Sequence, residues 1–294
     1  MSPPAPPSPS LGFGQNAAAF ARDIKLSHSI FALPFALCAA YLVSREASVP
    51  LSAWAAIVGA MVAARSSAMG MNRIADRRID QLNPRTTNRE LAAGRLSVGW
   101  AWGLTLGTGA AFIACAAALS PLAFALSPAV LVFLWGYSFT KRFTALCHVY
   151  LGVALGLSPI CVWIALTGGV GAPALLLSAI ICTWVAGFDM LYALQDRVID
   201  AGLGLHSIPS LIGERRTLAL SAAFHLVTVG LMAGLPAVVG LAWPYWIGAA
   251  MITGLLVWEH LIVRPGDLSR MNAAFFTANS AVSVVFFVAV LLGS

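Results

Sequence analysis

Residues 51–80 read LSAWAAIVGAMVAARSSAMGMNRIADRRID, a long apolar run that turns into a ladder of polar side chains at its end. The run approaches the ~20 residues a helix needs to cross the hydrocarbon of a bilayer. Asn72, Asp76 and Asp80 then follow at intervals of four. On a helix each such step turns about 40°, so the three form one stripe. A near copy of the pentad recurs 120 positions on, DRRID at 76–80 and DRVID at 196–200, in a chain of which only 10% is charged.

The rest of the chain is as apolar as this run. It is 60% hydrophobic, with a mean hydropathy of +0.86, against roughly 45–50% apolar residues in soluble domains. Nine spans are predicted, at 27–44, 51–70, 99–118, 121–139, 147–166, 172–191, 217–236, 240–260 and 272–292. The short alternating segments of a transmembrane barrel are absent. The expected fold is therefore all-α, a multi-pass integral membrane helical bundle of about nine transmembrane helices. The opening MSPPAPPSPS is too rich in Pro and Ser to pack. Residues 1–20 are read as a disordered tail without a cleaved signal, and 21–294 as one domain. Cys38, Cys115, Cys147, Cys161 and Cys182 are spread over separate apolar stretches without metal-ligand spacing, which suits packing.

The net charge of +6 would suit a nucleic-acid partner until the cations are sorted by loop. Sixteen of the 17 Lys and Arg residues then fall on one side of the membrane, and only Arg45 on the other. Positively charged loops stay cytoplasmic, so the N-terminus and the acid-bearing ends are predicted inside and the C-terminus outside. No nucleic acid is expected as a partner. The lipid bilayer is.

The second stripe lies in DMLYALQDRVID, residues 189–200. Asp189, Tyr192, Asp196 and Asp200 would share an arc of about 80° on a continuous helix. Five of the chain's eleven acids thus sit in two stripes facing the same compartment. An acid within a span costs at least ~2.5 kcal/mol unless it faces protein or water. Stacked carboxylates are relieved by a hard divalent cation such as Mg²⁺, which also holds phosphate oxygens. A plain alternative is a helix-end network in which Arg77, Arg78 and Arg197 neutralise their neighbouring acids. A third is an ion-coupled secondary transporter, since intramembrane acids also mark ion pathways.

The two stripes resemble the aspartate-rich motifs of the UbiA superfamily of intramembrane prenyltransferases, N-x-x-x-D-x-x-x-D and D-x-x-Y-x-x-x-D-x-x-x-D. The stretches NPRTTNRELAAGRLS, YSFTKRFT and GLHSIPSLIG resemble that family as well. One departure is Arg73, where many members carry Asp directly after the motif's Asn. The resemblance implies Mg²⁺-dependent transfer of a polyprenyl group from polyprenyl diphosphate to an acceptor, often an aromatic ring on the route to a quinone. It implies Asn72, Asp76, Asp80, Asp196 and Asp200 as metal ligands.

The charge pattern supplies further candidates. Arg85, Arg89, Arg142, Lys25 and His206 are expected around the diphosphate, and Lys141 where the leaving group departs. Asp189 and Tyr192, deeper on the second stripe, are expected to hold or deprotonate the acceptor. Trp135, Tyr137, Trp184 and Phe188 are placed to face an allylic cation or simply to pack. The whole-chain pattern is similar to the 4-hydroxybenzoate polyprenyltransferase branch, whereas IKLSHSIFALPFAL is more similar to relatives on the futalosine route to menaquinone, with 1,4-dihydroxy-6-naphthoate as acceptor. Relatives acting on haem, chlorophyllide or glycerol lipids are further alternatives.

Overall fold

The computed structural model describes residues 12–25, 33–268, 270–271 and 277–294. Apolar stretches of helical length become helices, as expected for backbone that must satisfy its hydrogen bonds internally. They are α1 (Phe13–Asp23), α2 (Leu33–Ser44), α3 (Leu51–Leu82), α4 (Val98–Leu119), α5 (Pro121–Thr140) and α6 (Cys147–Thr167). Then come α7 (Ala172–Ala193), α8 (Arg197–Gly202), α9 (Ile208–Ile212), α10 (Glu214–Val239), α11 (Pro244–Ile262) and α12 (Asn279–Gly293). No strand forms among the described residues; Arg264 and Asp267 make an isolated bridge.

Among the described residues, seven segments are long and apolar enough to cross a membrane, one of them running from Ala172 through Gly202. The first and last predicted spans are represented by α2 and α12, of 12 and 15 residues, with 27–32 and 272–276 outside the described residues. The expected disordered tail lies outside them only up to residue 11. From Phe13 the chain is helical, with Ala19 and Phe20 buried, because α1 is strongly one-sided and lays that side on α3 and α4. Arg73 donates from Nε to the Asp23 carbonyl at 3.0 Å and Arg65 from Nη1 to the Ile24 carbonyl at 3.2 Å, so two α3 arginines hold the carbonyls that end α1. Asp23 in turn accepts from the main-chain N–H groups of Glu90 and Leu91. Burial pushes its carboxyl above the usual range although Arg73 and those N–H groups pull the other way.

Helix α7 is the most enclosed span. Leu177, Ile180, Ile181, Trp184 and Val185 are buried, whereas Leu226, Trp246 and Leu261 on outer helices are exposed. Lipid is as apolar as leucine, so close backbone approach and polar contacts must hold such helices together. Gly152 and Gly156, four apart on α6, provide the first. A Cβ on Gly152 would stand 2.3 Å from the Cys182 carbonyl oxygen, and one on Gly156 would stand 2.9 Å from that of Ser178. On the other side of α7, Trp184 Nε1 donates to Asn279 Oδ1 at 3.0 Å and Asn279 Nδ2 to Glu259 Oε1 at 3.2 Å, tying α7, α12 and α11.

The second stripe is not one regular helix. A 3₁₀ turn, Leu194–Asp196, separates α7 from α8. Its tighter winding shifts the phase of Asp196 and Asp200 relative to continuous α geometry.

Candidate functional site

A cavity of about 560 Å³ is enclosed by α3, α4, α5, α6 and α7. Its acidic mouth is lined by Asp76, Asp80, Asp189, Asp196 and Asp200, with Asn72 and Tyr192. Away from the mouth the lining becomes Ile57, Phe112, Leu119, Leu126, Ile160 and Ile164. Ile57 and Asp80 both line it and are 23 residues apart on α3, so at 1.5 Å per residue the cavity runs along about 35 Å of that helix.

Each metal-candidate acid is paired with a cation from another element. Arg142 Nη2 donates to Asp76 Oδ1 at 3.0 Å. Arg89 Nη1 donates to both oxygens of Asp80 at 2.7 and 2.8 Å. Arg85 grips Asp196 through Nε and Nη2 and donates from Nη1 to the Tyr192 hydroxyl at 3.1 Å. Lys141 Nζ donates to Asp200 Oδ2 at 3.2 Å. Burial works against the charge on Lys141, but Asp200 overrides it and holds the ammonium above its usual range. These four cations are among those expected around the diphosphate and its departure. The acids are thus neutralised, but not by their sequence neighbours: among the described residues no ion pair joins Arg77, Arg78 or Arg197 to them.

Lys25 also lines the cavity, in a left-handed conformation with φ 49°. Burial, then the positive charges of Arg89, Arg73 and Arg85, pull its pKa below the usual lysine range. His206 departs from its expected place: its side chain is exposed and does not line the cavity, because its main-chain N–H is bonded to the Lys141 carbonyl at 2.7 Å. Asn72 belongs to the stripe, but its amide oxygen accepts from Arg73 and its amide nitrogen donates to Asp76. Of the aromatics, Tyr137 and Phe188 line the cavity. Trp135 bonds Ser67, and Trp184 is buried in the core.

Three residues at the site are not among the candidates read from the sequence. Asn83 donates to Asp196 Oδ1 at 2.9 Å, joining the loop after α3 to the second stripe. His148 Nδ1 lies 2.7 Å from Asp189 Oδ2. Arg65, grouped by charge with the loop, is instead inside α3 seven residues before Asn72, nearly on the same stripe and lining the cavity. Its side-chain partner is a main-chain carbonyl.

The donor set suits a hard cation. Among the described residues no three His, Cys, Asp or Glu side chains converge on one point. Mg²⁺ does not require that, since it is held by one or two carboxylates together with water and phosphate oxygens. Two carboxylates per stripe, all oxygen, fit this mode.

Residues 32–287 match the UbiA prenyltransferase family. The chain belongs to that family. It is 31% identical over 244 residues to the 4-hydroxybenzoate octaprenyltransferase of Acidovorax ebreus, covering 81% of this chain and 82% of that one. Among solved structures, the apo UbiA homolog of Aeropyrum pernix superposes with a TM-score of 0.81 at 34% identity, over 91% of this chain and 98% of that one. A UbiA homolog of Archaeoglobus fulgidus bound to GPP and Mg²⁺ shares the fold, with a TM-score of 0.63 at 17% identity over 93% and 99%. The protein is thus a membrane-embedded prenyltransferase, which removes the transporter alternative.

Proposed function

We propose that the protein transfers a polyprenyl group from polyprenyl diphosphate to a small hydroxylated aromatic acid, of the 4-hydroxybenzoate or 1,4-dihydroxy-6-naphthoate type, in ubiquinone or menaquinone biosynthesis. The observation that carries this reading is the set of four crossed acid–cation pairs at the mouth of a long apolar cavity. Asp76, Asp80, Asp196 and Asp200, with Asn72, would hold Mg²⁺, which when bound neutralises the diphosphate as its C–O bond stretches. Arg85, Arg89 and Arg142 would then turn from the carboxylates to phosphate oxygens, for which their forked donors are suited. Lys141 and Lys25 add positive charge where the leaving group develops negative charge.

The apolar cavity would take the isoprenoid tail and keep water from the allylic cation. Asp189 and Tyr192 would meet the acceptor's hydroxyl, and Asp189 is the candidate to take its proton. Arg65, a cavity-lining guanidinium two turns beyond Asn72, is suited to the acceptor's carboxylate. In this reading residues 21–294 work as one domain in the cytoplasmic membrane, with the acid-lined mouth cytoplasmic and the C-terminus outside.

The test is incorporation of radiolabelled polyprenyl diphosphate in membranes carrying the protein, with either ring supplied, with and without Mg²⁺. A Mg²⁺-dependent lipid product names the acceptor by the tube in which it forms, and Asp76→Ala and Asp196→Ala abolish it. No product from either ring overturns the aromatic-acid reading.

A further inference from the structure

His148 is a histidine on an otherwise apolar helix, fully buried, yet it lines the catalytic cavity. Its ring is held at both nitrogens. Nδ1 lies 2.7 Å from Asp189 Oδ2, and Nε2 accepts from the main-chain N–H of Ile208 over a long 3.4 Å. A nitrogen that receives an N–H carries no proton of its own in the neutral ring. In the neutral ring that leaves the proton on Nδ1, and in the charged ring Nδ1 carries one as well, so in either form Nδ1–H donates to Asp189.

The neighbourhood fixes this pair in place. His148, Gly152 and Gly156 follow at intervals of four and form one stripe of α6. Gly152 and Gly156 lie against α7 at Cys182 and Ser178 with no room for a methyl group. The same close seam thus continues to His148 and Asp189. Ile208 opens α9, whose Ser207 and Ser210 cap each other, and the neighbouring His206 N–H bonds the Lys141 carbonyl. His148 thereby joins α6, α7 and the stretch after the second motif.

We propose that His148 is the positioning residue of the acceptor site: through Nδ1–H it commits one oxygen of Asp189, so that the other presents fixed lone pairs to a hydroxyl of the incoming ring. An ionised carboxylate already serving one donor can only accept. The site then selects acceptors that offer a hydrogen-bond donor beside the carbon to be alkylated, and rejects their methyl ethers. This rests on reading Asp189 as the group that meets the acceptor.

Three substitutions separate the bonds. His148→Asn places an amide donor close to the position of Nδ1, His148→Gln keeps a polar atom near Nε2 only, and His148→Ala removes both. Steady-state transfer should show His148→Ala and His148→Gln lowering kcat/KM for the acceptor by about 10²-fold, the order expected when a reacting group is misplaced by about 1 Å. KM for polyprenyl diphosphate should stay unchanged, and His148→Asn should recover most of the loss. A raised KM for polyprenyl diphosphate, or rescue by Gln and not by Asn, overturns the proposal.

A second measurement needs no turnover, so it stands even if neither ring is the acceptor. The imidazole ¹⁵N spectrum of His148, assigned by its loss in His148→Asn, should show a protonated, strongly hydrogen-bonded Nδ1 whose shift moves in Asp189→Asn. No change in Asp189→Asn means that the pair does not form, and sinks the inference.

Discussion

The two aspartate stripes are alike in sequence and differ in the backbone beneath them. Asn72, Asp76 and Asp80 ride on the unbroken 32-residue α3, whereas Asp196 ends a 3₁₀ turn and Asp200 sits on the six-residue α8 that follows it. A 3₁₀ turn has poorer hydrogen bonds and often marks a hinge. One wall of the mouth is thus a fixed rail and the other is jointed. Yet both rails are built the same way from behind. Gly70 lies two residues before Asn72 and Gly187 two before Asp189, some 200° around the helix from the stripe. A Cβ on Gly70 would meet Thr105 Oγ1 at 2.2 Å, and one on Gly187 would meet the His225 ring at 2.4 Å.

The strongest way to break the comparison is to remove one acid from each wall. Asp76→Ala and Asp196→Ala should each cut transfer by at least about 10²-fold, the order seen when a principal electrostatic stabiliser is lost. If either variant keeps wild-type turnover, the walls are not equivalent partners for the metal. Chelation with EDTA should silence the wild type, and added Mg²⁺ should restore it.

Arg85 reaches the jointed wall with both a fork on Asp196 and a bond to Tyr192. Arg85→Lys keeps the charge and loses the fork. Transfer should fall about tenfold, the equivalent of roughly 1.4 kcal/mol. Wild-type kinetics in this variant would show that charge alone suffices there.

The glycines test the rails. Gly187→Ala and Gly70→Ala should each destabilise the protein by about 1–3 kcal/mol, as overpacking does, read as a lowered thermal midpoint in detergent. Gly187→Ala should cost more, because the His225 ring it strikes lies within 2.9 Å of His260 and 3.3 Å of the Trp184 carbonyl. Hydrogen exchange sharpens the contrast in mobility. Amides of 194–202 should exchange faster than those of 72–80, and gain the larger protection when Mg²⁺ and polyprenyl diphosphate are added.

The smallest effect is one of pH. Lys25 has a lowered pKa, and only its protonated form attracts phosphate. Affinity for polyprenyl diphosphate should therefore be complete below that pKa and decline as pH rises through it. Lys25→Met should flatten the decline in a binding titration.

The acids were legible because a carboxylate in an apolar span needs a reason to be there, and helical spacing then aligned them. The length of the apolar runs also located the helices, since hydrocarbon thickness sets how long a span must be. His148, Arg65 and Asn83 were not legible. A lone histidine on an apolar helix and an arginine near the basic loop carry no local mark, and Asn83, although it opens NPRTTNRELAAGRLS, carries none that names its partner; the three partners are 41, 41 and 113 positions away. The 3₁₀ turn was hidden as well, because ALQDRVID has no Gly or Pro to announce a break. Helix α1 was missed because its apolar face follows a Pro-rich opening. His206 was misplaced because sequence proximity to the motif does not say whether a side chain or a main chain does the joining.

The crossed ion pairs at the mouth have an electrical consequence. A magnesium diphosphate salt carries little net charge, and it would enter by exchanging carboxylate–guanidinium pairs for carboxylate–metal and guanidinium–phosphate pairs. Moving one elementary charge through the membrane field is worth about 2.3 kcal/mol per 100 mV, but such an exchange moves almost none. Substrate loading should therefore proceed equally well in energised and de-energised membranes, leaving the enzyme indifferent to the voltage across the bilayer in which it is embedded.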